Sequence, residues 1–251
     1  MDKMIHTALN TLNNIQLNRS VKSQNLSNIN VPGFRRDLGT SFGAGFLEHM
    51  DQFPSRVFAL HEGANIFSAK PGNLKATGQE TDLAIRGQGF FITKPPNGEP
   101  SLSRRGDLGV SADGFLINGA SSQMLDLNLA PIKVPPFRKM VVSETGELFI
   151  EPLGSEEGTR LALGSIATTS GSETPMKKDV DGEIRLVGGG VPGPDQNSVI
   201  AQSFLEESNI NAIEELVDTL SQQRQFEVNV KFITLSKDLD ESTASIMRMP
   251  N

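Results

Sequence analysis

Cysteine, tryptophan and tyrosine are all missing from this chain of 251 residues. Without cysteine there is no disulfide framework, no thiolate nucleophile and no thiolate-held metal, and the chain suits passage through an oxidising compartment. Fourteen phenylalanines are the only aromatics, which argues against stacking platforms for sugars or bases. No run of eighteen apolar residues exists, so no direct membrane insertion by a helix is expected. The first residues lack both a continuous apolar core and a small-residue cleavage site. The chain is therefore expected either to stay in the cytoplasm or to leave it by a route that cleaves nothing. Positive charge is also short. Lys and Arg number 23 against 30 Asp and Glu, giving a net charge of −7, and they form no basic block. That field opposes nucleic acid and anionic lipid as partners. His6, His49 and His61 share no ligand spacing with nearby carboxylates, so neither a metal nor any other cofactor is expected.

Glycine and proline are missing from two long stretches in particular, one at each end. Between Ser208 and Met249 apolar residues recur at Ile210, Ile213, Leu216, Val217, Leu220, Phe226, Val230, Ile233, Leu239 and Ile246. Steps of three, four and seven predict a helix with one apolar face. Asn211 followed by Glu214 resembles a capping box that would start it. Such a helix would be roughly 60 Å long and could not bury its own seam. Residues 2–29 carry Met4, Ile5, Leu9, Leu12, Ile15 and Leu26 at mostly helical steps, and Pro32-Gly33 stops the run. The two ends are expected to pair as an α-helical coiled coil. The N-terminal half is the shorter, so part of the long seam would be left for other chains to cover.

Strand signals fill the middle. Leu83-Ala84-Ile85-Arg86 and Phe90-Phe91-Ile92-Thr93 precede an Asn97-Gly98 turn. Asp113-Gly114, Thr145-Gly146 and Asp181-Gly182 each separate further short apolar runs. Such spacing favours an antiparallel β domain over βαβ units. The expected architecture is α+β: an N-terminal helix in 1–36, an extended connector in 37–80 with one short helical piece between Phe46 and Phe53, the β domain in 81–195, and a C-terminal helix in 196–251.

No catalytic constellation is found. Gly39-Thr40-Ser41-Phe42-Gly43 has the spacing of a nucleophile elbow, but a Pro-Gly turn lies just upstream and the later histidines are only His49 and His61. The glycine-rich run 188–194 lacks the Gly-Lys-Ser/Thr of a phosphate loop. Arg105-Gly106-Asp107 matches an adhesion tripeptide but is an ordinary turn between strands. The carboxylates at Glu206-Glu207, Glu214-Glu215 and Asp238 to Glu241 fit a solvated helix face. No enzyme is expected, and a Ser41 hydrolase or a β-domain adhesin are the readings to be weighed against a structural one.

Two stretches carry more specific information. Ser23-Gln24-Asn25-Leu26-Ser27-Asn28 to Pro32-Gly33-Phe34 resembles the N-terminal signature of the bacterial flagellar rod, hook and hook-associated proteins, with Ser27 where the family usually has Ala. Glu206 to Asn211, with Gln222-Gln223-Arg224-Gln225-Phe226-Glu227, resembles the C-terminal segment of the same family. Residues 81–92 and 104–116 are similar to the start of its β domain. The single β domain and the length fit a rod protein better than the larger hook protein.

The resemblance implies a torque-transmitting subunit of the basal-body rod in the periplasm. Such a subunit would be exported without signal cleavage through the flagellar type III apparatus, would assemble helically with itself and other rod proteins, and would line the export channel with its terminal helices. Leu9, Leu12, Ile15, Leu26, Ile213, Leu220, Phe226, Val230 and Ile233 are then the expected seam. Asn25, Asn28, Asn209 and Asn211 would cap helices or bond across them. Gly33, Phe34 and Arg224 complete the candidate assembly residues through the matching motifs.

Overall fold

The computed structural model describes residues 2–39, 66–171, 174–179 and 181–247, with side chains described for all of these except 2–7 and 247. The helical piece expected at 46–53, Ser41, His49 and His61 lie outside the described residues. The chain divides into two compact units. One comprises 1–27, 37–66 and 211–251, and the other 28–36 and 67–210.

The first unit is helical. Helix α1 runs Asp2–Ser27 and α2 runs Ala212–Met247, about 54 Å at 1.5 Å per residue. The start of α2 is fixed by Asn211, whose Oδ1 accepts from the backbone N–H groups of Ile213 at 3.0 Å and Glu214 at 3.4 Å. It thus satisfies two donors that the first helical turn leaves unpaired. Glu214 and Glu215 in the same turn complement the helix dipole. The two helices lie against each other and run antiparallel, since Lys22 reaches Glu215 and Asp218 while the earlier Arg19 reaches the later Gln223. Among the described residues, no helix is long and apolar enough to cross a membrane.

The second unit is β. Its strands are β1 (Leu74–Ala76), β2 (Leu83–Arg86), β3 (Phe90–Lys94), β4 (Ser101–Ser103), β5 (Leu108–Val110), β6 (Leu116–Asn118), β7 (Gln123–Met124), β8 (Phe137–Val142), β9 (Glu147–Pro152), β10 (Leu161–Ser165), β11 (Thr168–Thr169), β12 (Met176–Lys178), β13 (Ile184–Leu186), β14 (Val199–Gln202) and β15 (Phe204–Glu206). Every ladder is antiparallel. The largest sheet has the order β12-β13-β4-β3-β7-β6-β5 with β11 also on β3. Beside it are β10-β9-β8, β14-β2 and β1-β15.

Strand β3 explains why Phe90-Phe91-Ile92 reads as a continuous apolar run. Side chains alternate across a strand, so Phe91 enters one core with Leu83, Ile85, Met124, Met140 and Leu148. Phe90 and Ile92 enter a second core with Phe67, Leu102, Leu125 and Ile184. The turns expected from sequence are present, with positive φ at Gly114, Gly146 and Gly182 and a bond from each amide to the carbonyl three residues earlier. Residues 199–206, assigned from sequence to the C-terminal helix segment, form β14 and β15 instead. Four residues of β14 pair with β2 in continuous register, and Ile200 and Ala201 are buried, so burial against a strand decides their conformation.

Candidate assembly interface

The turn after α1 carries Gly33-Phe34-Arg35-Arg36, and in the β unit these residues are tied down from several directions. Gly33 has φ +68°, and a Cβ there would collide with the backbone of Arg104; its amide donates to the Glu206 carbonyl at 2.7 Å. Arg35 is among the largest fully buried side chains. Its Nη1 lies 2.7 Å from Glu206 Oε1 and donates to the Lys70 carbonyl at 2.6 Å. Arg104 meets the other oxygen of Glu206 at 2.9 Å and also donates to the carbonyls of Ile85, at 2.9 Å, and of Gly87. Gly72 N–H donates to Glu206 Oε1 at 2.7 Å.

One buried carboxylate therefore joins the turn at 33–35, the segment at 70–72 and the strand ends at 85–104. Burial lowers the pKa of both guanidinium groups, against the pull of Glu206. Arg104, repelled in addition by Arg35, falls to about 10. Lys178 adds to the knot, donating to the Arg35 carbonyl at 2.7 Å with its ammonium 4.0 Å from the Phe34 ring centroid.

Asn209 closes the same region. Its Oδ1 accepts from Arg36 N–H at 2.6 Å, and its Nδ2 donates to the carbonyls of Ser68 at 3.1 Å and Lys70 at 2.8 Å. One amide thus bridges the backbone at 36 and at 68–70. In the helical unit Asn25 does similar work: fully buried, it exchanges two 2.9 Å hydrogen bonds with the backbone of Asp37.

The faces of α2 are unequal in an unexpected sense. Its less exposed positions are Glu215, Asp218, Thr219, Gln222, Asn229, Ile233, Ser236, Asp240 and Thr243, with Phe226 on the same line. Steps of three and four make this one stripe, and Glu215 at its head is buried and 3.2 Å from Lys22. The matching positions of α1 are Ala8, Thr11, Ile15, Asn18, Lys22 and Asn25. The contact between the helices is thus largely polar. On the opposite side of α2 lie Ile213, Val217, Leu220, Val228, Leu235, Leu239 and Ile246, each more than half exposed.

Residues 84–150 match the family described as flagellar hook protein FlgE/F/G D1 domain, and residues 201–246 match flagellar basal body rod FlgEFG protein C-terminal. The chain is 29% identical over 244 residues to the flagellar basal-body rod protein FlgG of Agrobacterium fabrum, covering 89% of this chain and 91% of that one. It is 25% identical over 251 residues to FlgF of Salmonella typhimurium, covering 98% of each, and 28% identical over 231 residues to FlgF of Rhizobium meliloti, covering 90% of each. These matches support a flagellar rod protein family for this chain.

The rod-family match at 84–150 spans β2 to β9, and the one at 201–246 spans the end of β14, β15 and nearly all of α2. Arg35 lies outside both matched segments, while Arg104 and Glu206 lie one in each. Of the residues expected on a single apolar seam, the structure separates two groups. Ile213 and Leu220 are exposed on the outward stripe, as is the motif residue Arg224, whereas Ile233 and Phe226 share the polar stripe, and Val230 lies between them. In α1, Ile15 is buried and Leu12 half-buried, but Leu9 and Leu26 are exposed. The seam expected to be shared between the two helices is therefore split, with Ile15, Phe226 and Ile233 on the shared stripe and Ile213 and Leu220 away from it. Ion pairs of Lys22 with Glu215 and Asp218 and side-chain hydrogen bonds from Arg19 and Asn25 also join the helices, and the outward apolar stripe is exposed. Asn28 is half-buried, its carbonyl accepting from Val31 N–H at 3.1 Å.

Two carboxylates expected on a solvated face are buried: Glu206, which belongs to a strand, and Glu215. Arg35, Arg104 and Lys178 were not among the functional residues expected from the sequence. A lone charged residue in a strand or turn gives no periodic signal, and nothing local marks the partner far away in the chain.

Proposed function

We propose that this chain is a structural subunit of the basal-body rod that assembles helically through its terminal helices, closing on other copies and on other rod proteins. The observation that carries this is the outward stripe of α2. Covering a half-exposed Leu, Ile or Val is worth roughly 1 kcal/mol, so seven such residues supply on the order of 7 kcal/mol. Association costs about 4–15 kcal/mol. A single stripe-on-stripe contact is marginal, and a lattice in which each subunit meets several neighbours is not, so polymerisation is cooperative. A coiled coil completed between subunits, rather than within one, follows from that stripe. The knot at Arg35, Glu206 and Arg104 keeps the β unit ordered through the turn next to α1.

No enzymatic role is proposed, since the matching family is one of structural rod proteins. End-to-end coverage of FlgF favours a proximal-rod position; the higher identity to FlgG makes a distal-rod position the second reading. Export through the flagellar type III apparatus to the periplasm, without signal cleavage, accompanies this proposal.

The chain's lack of cysteine gives a clean test. Single substitutions Val217→Cys and Leu220→Cys on the outward stripe should give oxidised cross-links between copies when the protein is concentrated. Asn229→Cys on the inward stripe should give far fewer. Equal cross-linking from both stripes, or none from either in an assembled sample, would refute the assignment of the surface.

A further inference from the structure

Asparagine is followed by glycine twice in this chain, at Asn97-Gly98 and at Asn118-Gly119, and the two pairs sit in opposite surroundings. Asn118 is buried and its side chain is locked, with Oδ1 accepting from the backbone N–H groups of Ala120 and Ser122, each at 3.0 Å. The nitrogen that follows it is engaged as well, since Gly119 N–H donates to Asp107 Oδ1 at 3.3 Å. Asn97 lies in the loop between β3 and β4, where both it and Gly98 are exposed. Among the described residues, neither the Asn97 side chain nor the Gly98 N–H has a hydrogen-bond partner. Glycine also has no Cβ to shield its nitrogen. Arg185 Nη2 lies 3.4 Å from the place a Gly98 Cβ would take and donates to the Glu99 carbonyl at 3.2 Å, while Asp181 Oδ2 is farther from that place, at 3.9 Å.

We propose that Asn97 is a site of spontaneous deamidation, converted in the folded protein to aspartate and isoaspartate, while Asn118 keeps its amide. The Gly98 backbone nitrogen, after giving its proton to hydroxide, attacks Cγ of Asn97. The new N–Cγ bond closes a cyclic imide as the Cγ–Nδ2 bond breaks, and the side-chain nitrogen leaves as ammonia with a proton taken from water. Water then opens the imide at either carbonyl. Attack at Cγ leaves an aspartate; attack at the backbone carbon leaves an isoaspartate, whose main chain runs through Cβ and Cγ. The Arg185 guanidinium, the nearer of the two charges, stabilises the negative charge that develops on the attacking nitrogen. Either product places a new carboxylate in the loop beside the Arg185–Asp181 pair, so old and new copies differ in surface charge. At Asn118 the same reaction would first have to break both bonds to Oδ1 and the bond from Gly119 N–H, and then admit water to a buried site. Position 97 should therefore react at least about 10-fold faster in the folded chain.

Peptide mass mapping of the full chain, after incubation at mildly alkaline pH, tests this site by site. The peptide holding position 97 should gain the mass difference between an amide and an acid. It should split into two species of equal mass that separate on a column, as aspartate and isoaspartate do. Position 118 should lag by the factor given above, and it should catch up when the incubation is repeated in denaturing urea, where only the local sequence acts. Asn97→Gln, whose longer side chain closes a ring far more slowly, should remove the acidic species that otherwise accumulates on isoelectric focusing. Equal rates at the two positions in the folded chain would overturn the proposal, and so would an amide kept at 97 in the folded chain but lost in urea. An acidic species that accumulates unabated in Asn97→Gln would overturn it too.

Discussion

Glu206 Oε1 lies 2.7 Å from Arg35 Nη1, with the two side chains no more than 1% exposed, and Arg104 holds the second oxygen of the same carboxylate. Two guanidinium groups facing one carboxylate in the interior make each partner costly to remove. The charge that stays behind is stranded away from water, and that penalty typically reaches about 3–5 kcal/mol. Glu206→Gln should therefore destabilise the β unit by about that amount. For a unit of this size each kcal/mol moves the melting temperature by about 2–4 °C, so calorimetry should show a fall on the order of 10 °C. A melting point within two degrees of the parent would mean that the knot is hydrated and its charges are not interdependent.

Gly33 is the residue through which the turn reaches that knot. Its φ of +68° disfavours any side chain, and the space a Cβ would need is held by the backbone of Arg104. Left-handed backbone costs a non-glycine residue about 1–2 kcal/mol, and the collision adds to it because a backbone cannot rotate away as a side chain can. Gly33→Ala should lower the stability of the β unit by more than about 2 kcal/mol, read as a shift in denaturant midpoint. It should also speed exchange of the Arg36 amide, which now donates to Asn209 at 2.6 Å. Slow exchange at Arg36 in the variant would show that the turn can be held without glycine.

These two residues also show where the sequence was legible. Pro32-Gly33 announced a turn because the backbone preferences of both residues are local. The glycine turns at 114, 146 and 182 and the cap at Asn211 were legible for the same reason. Helix period gave the existence of α1 and α2, and the run from Phe90 was correctly placed in a strand. Periodicity could not say which face of α2 meets α1. Leucines at helical spacing mark a stripe that water disfavours, and they carry no label for who covers it. Lys22, Asn25 and Glu215, which actually join the helices, look like ordinary surface residues until both chain ends are in place. Arg35, Arg104 and Glu206 were hidden for the same reason, since a buried ion pair is a relation between distant positions.

The hairpin from β12 to β13 offers a pH dependence. Glu183 is largely withdrawn from water, accepts from Ser101 Oγ at 2.8 Å, and has its pKa raised above 4.5, chiefly by burial and further by Asp181. A carboxyl raised in the folded state favours folding when protonated. Its contribution is complete below the unfolded value and disappears as pH rises through the folded one. Asp181 acts in the opposite sense: bonding to Arg185 lowers its pKa, so its contribution is present near neutrality and lost in acid. Glu183→Gln removes the first effect and leaves the second. The variant should melt higher than the parent at pH 7, and the difference should vanish by about pH 3, where the Glu183 carboxyl of the parent is as neutral as the amide that replaces it. A gain that persists unchanged into acid would assign it to something other than the buried charge.

Leu220 and Ile233 separate the two faces of α2. Leu220 is 55% exposed on the outward stripe, whereas Ile233 is half-buried on the stripe that α1 adjoins. Placing a charge at Leu220 takes nothing from the monomer. Exposed substitutions of this kind stay within about 0.5 kcal/mol, so Leu220→Asp should keep the parent's helical signal and melting profile. It should still block assembly, because each copy would have to bury a carboxylate without a partner. Ile233→Asp should do the reverse first, loosening the α1–α2 contact already in the monomer by placing a charge on the stripe that faces α1. Circular dichroism of the monomer and sedimentation of concentrated protein, run on both variants, read the two effects apart. If Leu220→Asp assembled like the parent while Ile233→Asp did not, the polar stripe would be the surface between subunits, and the contact α1 now makes there would have to open before the rod could form.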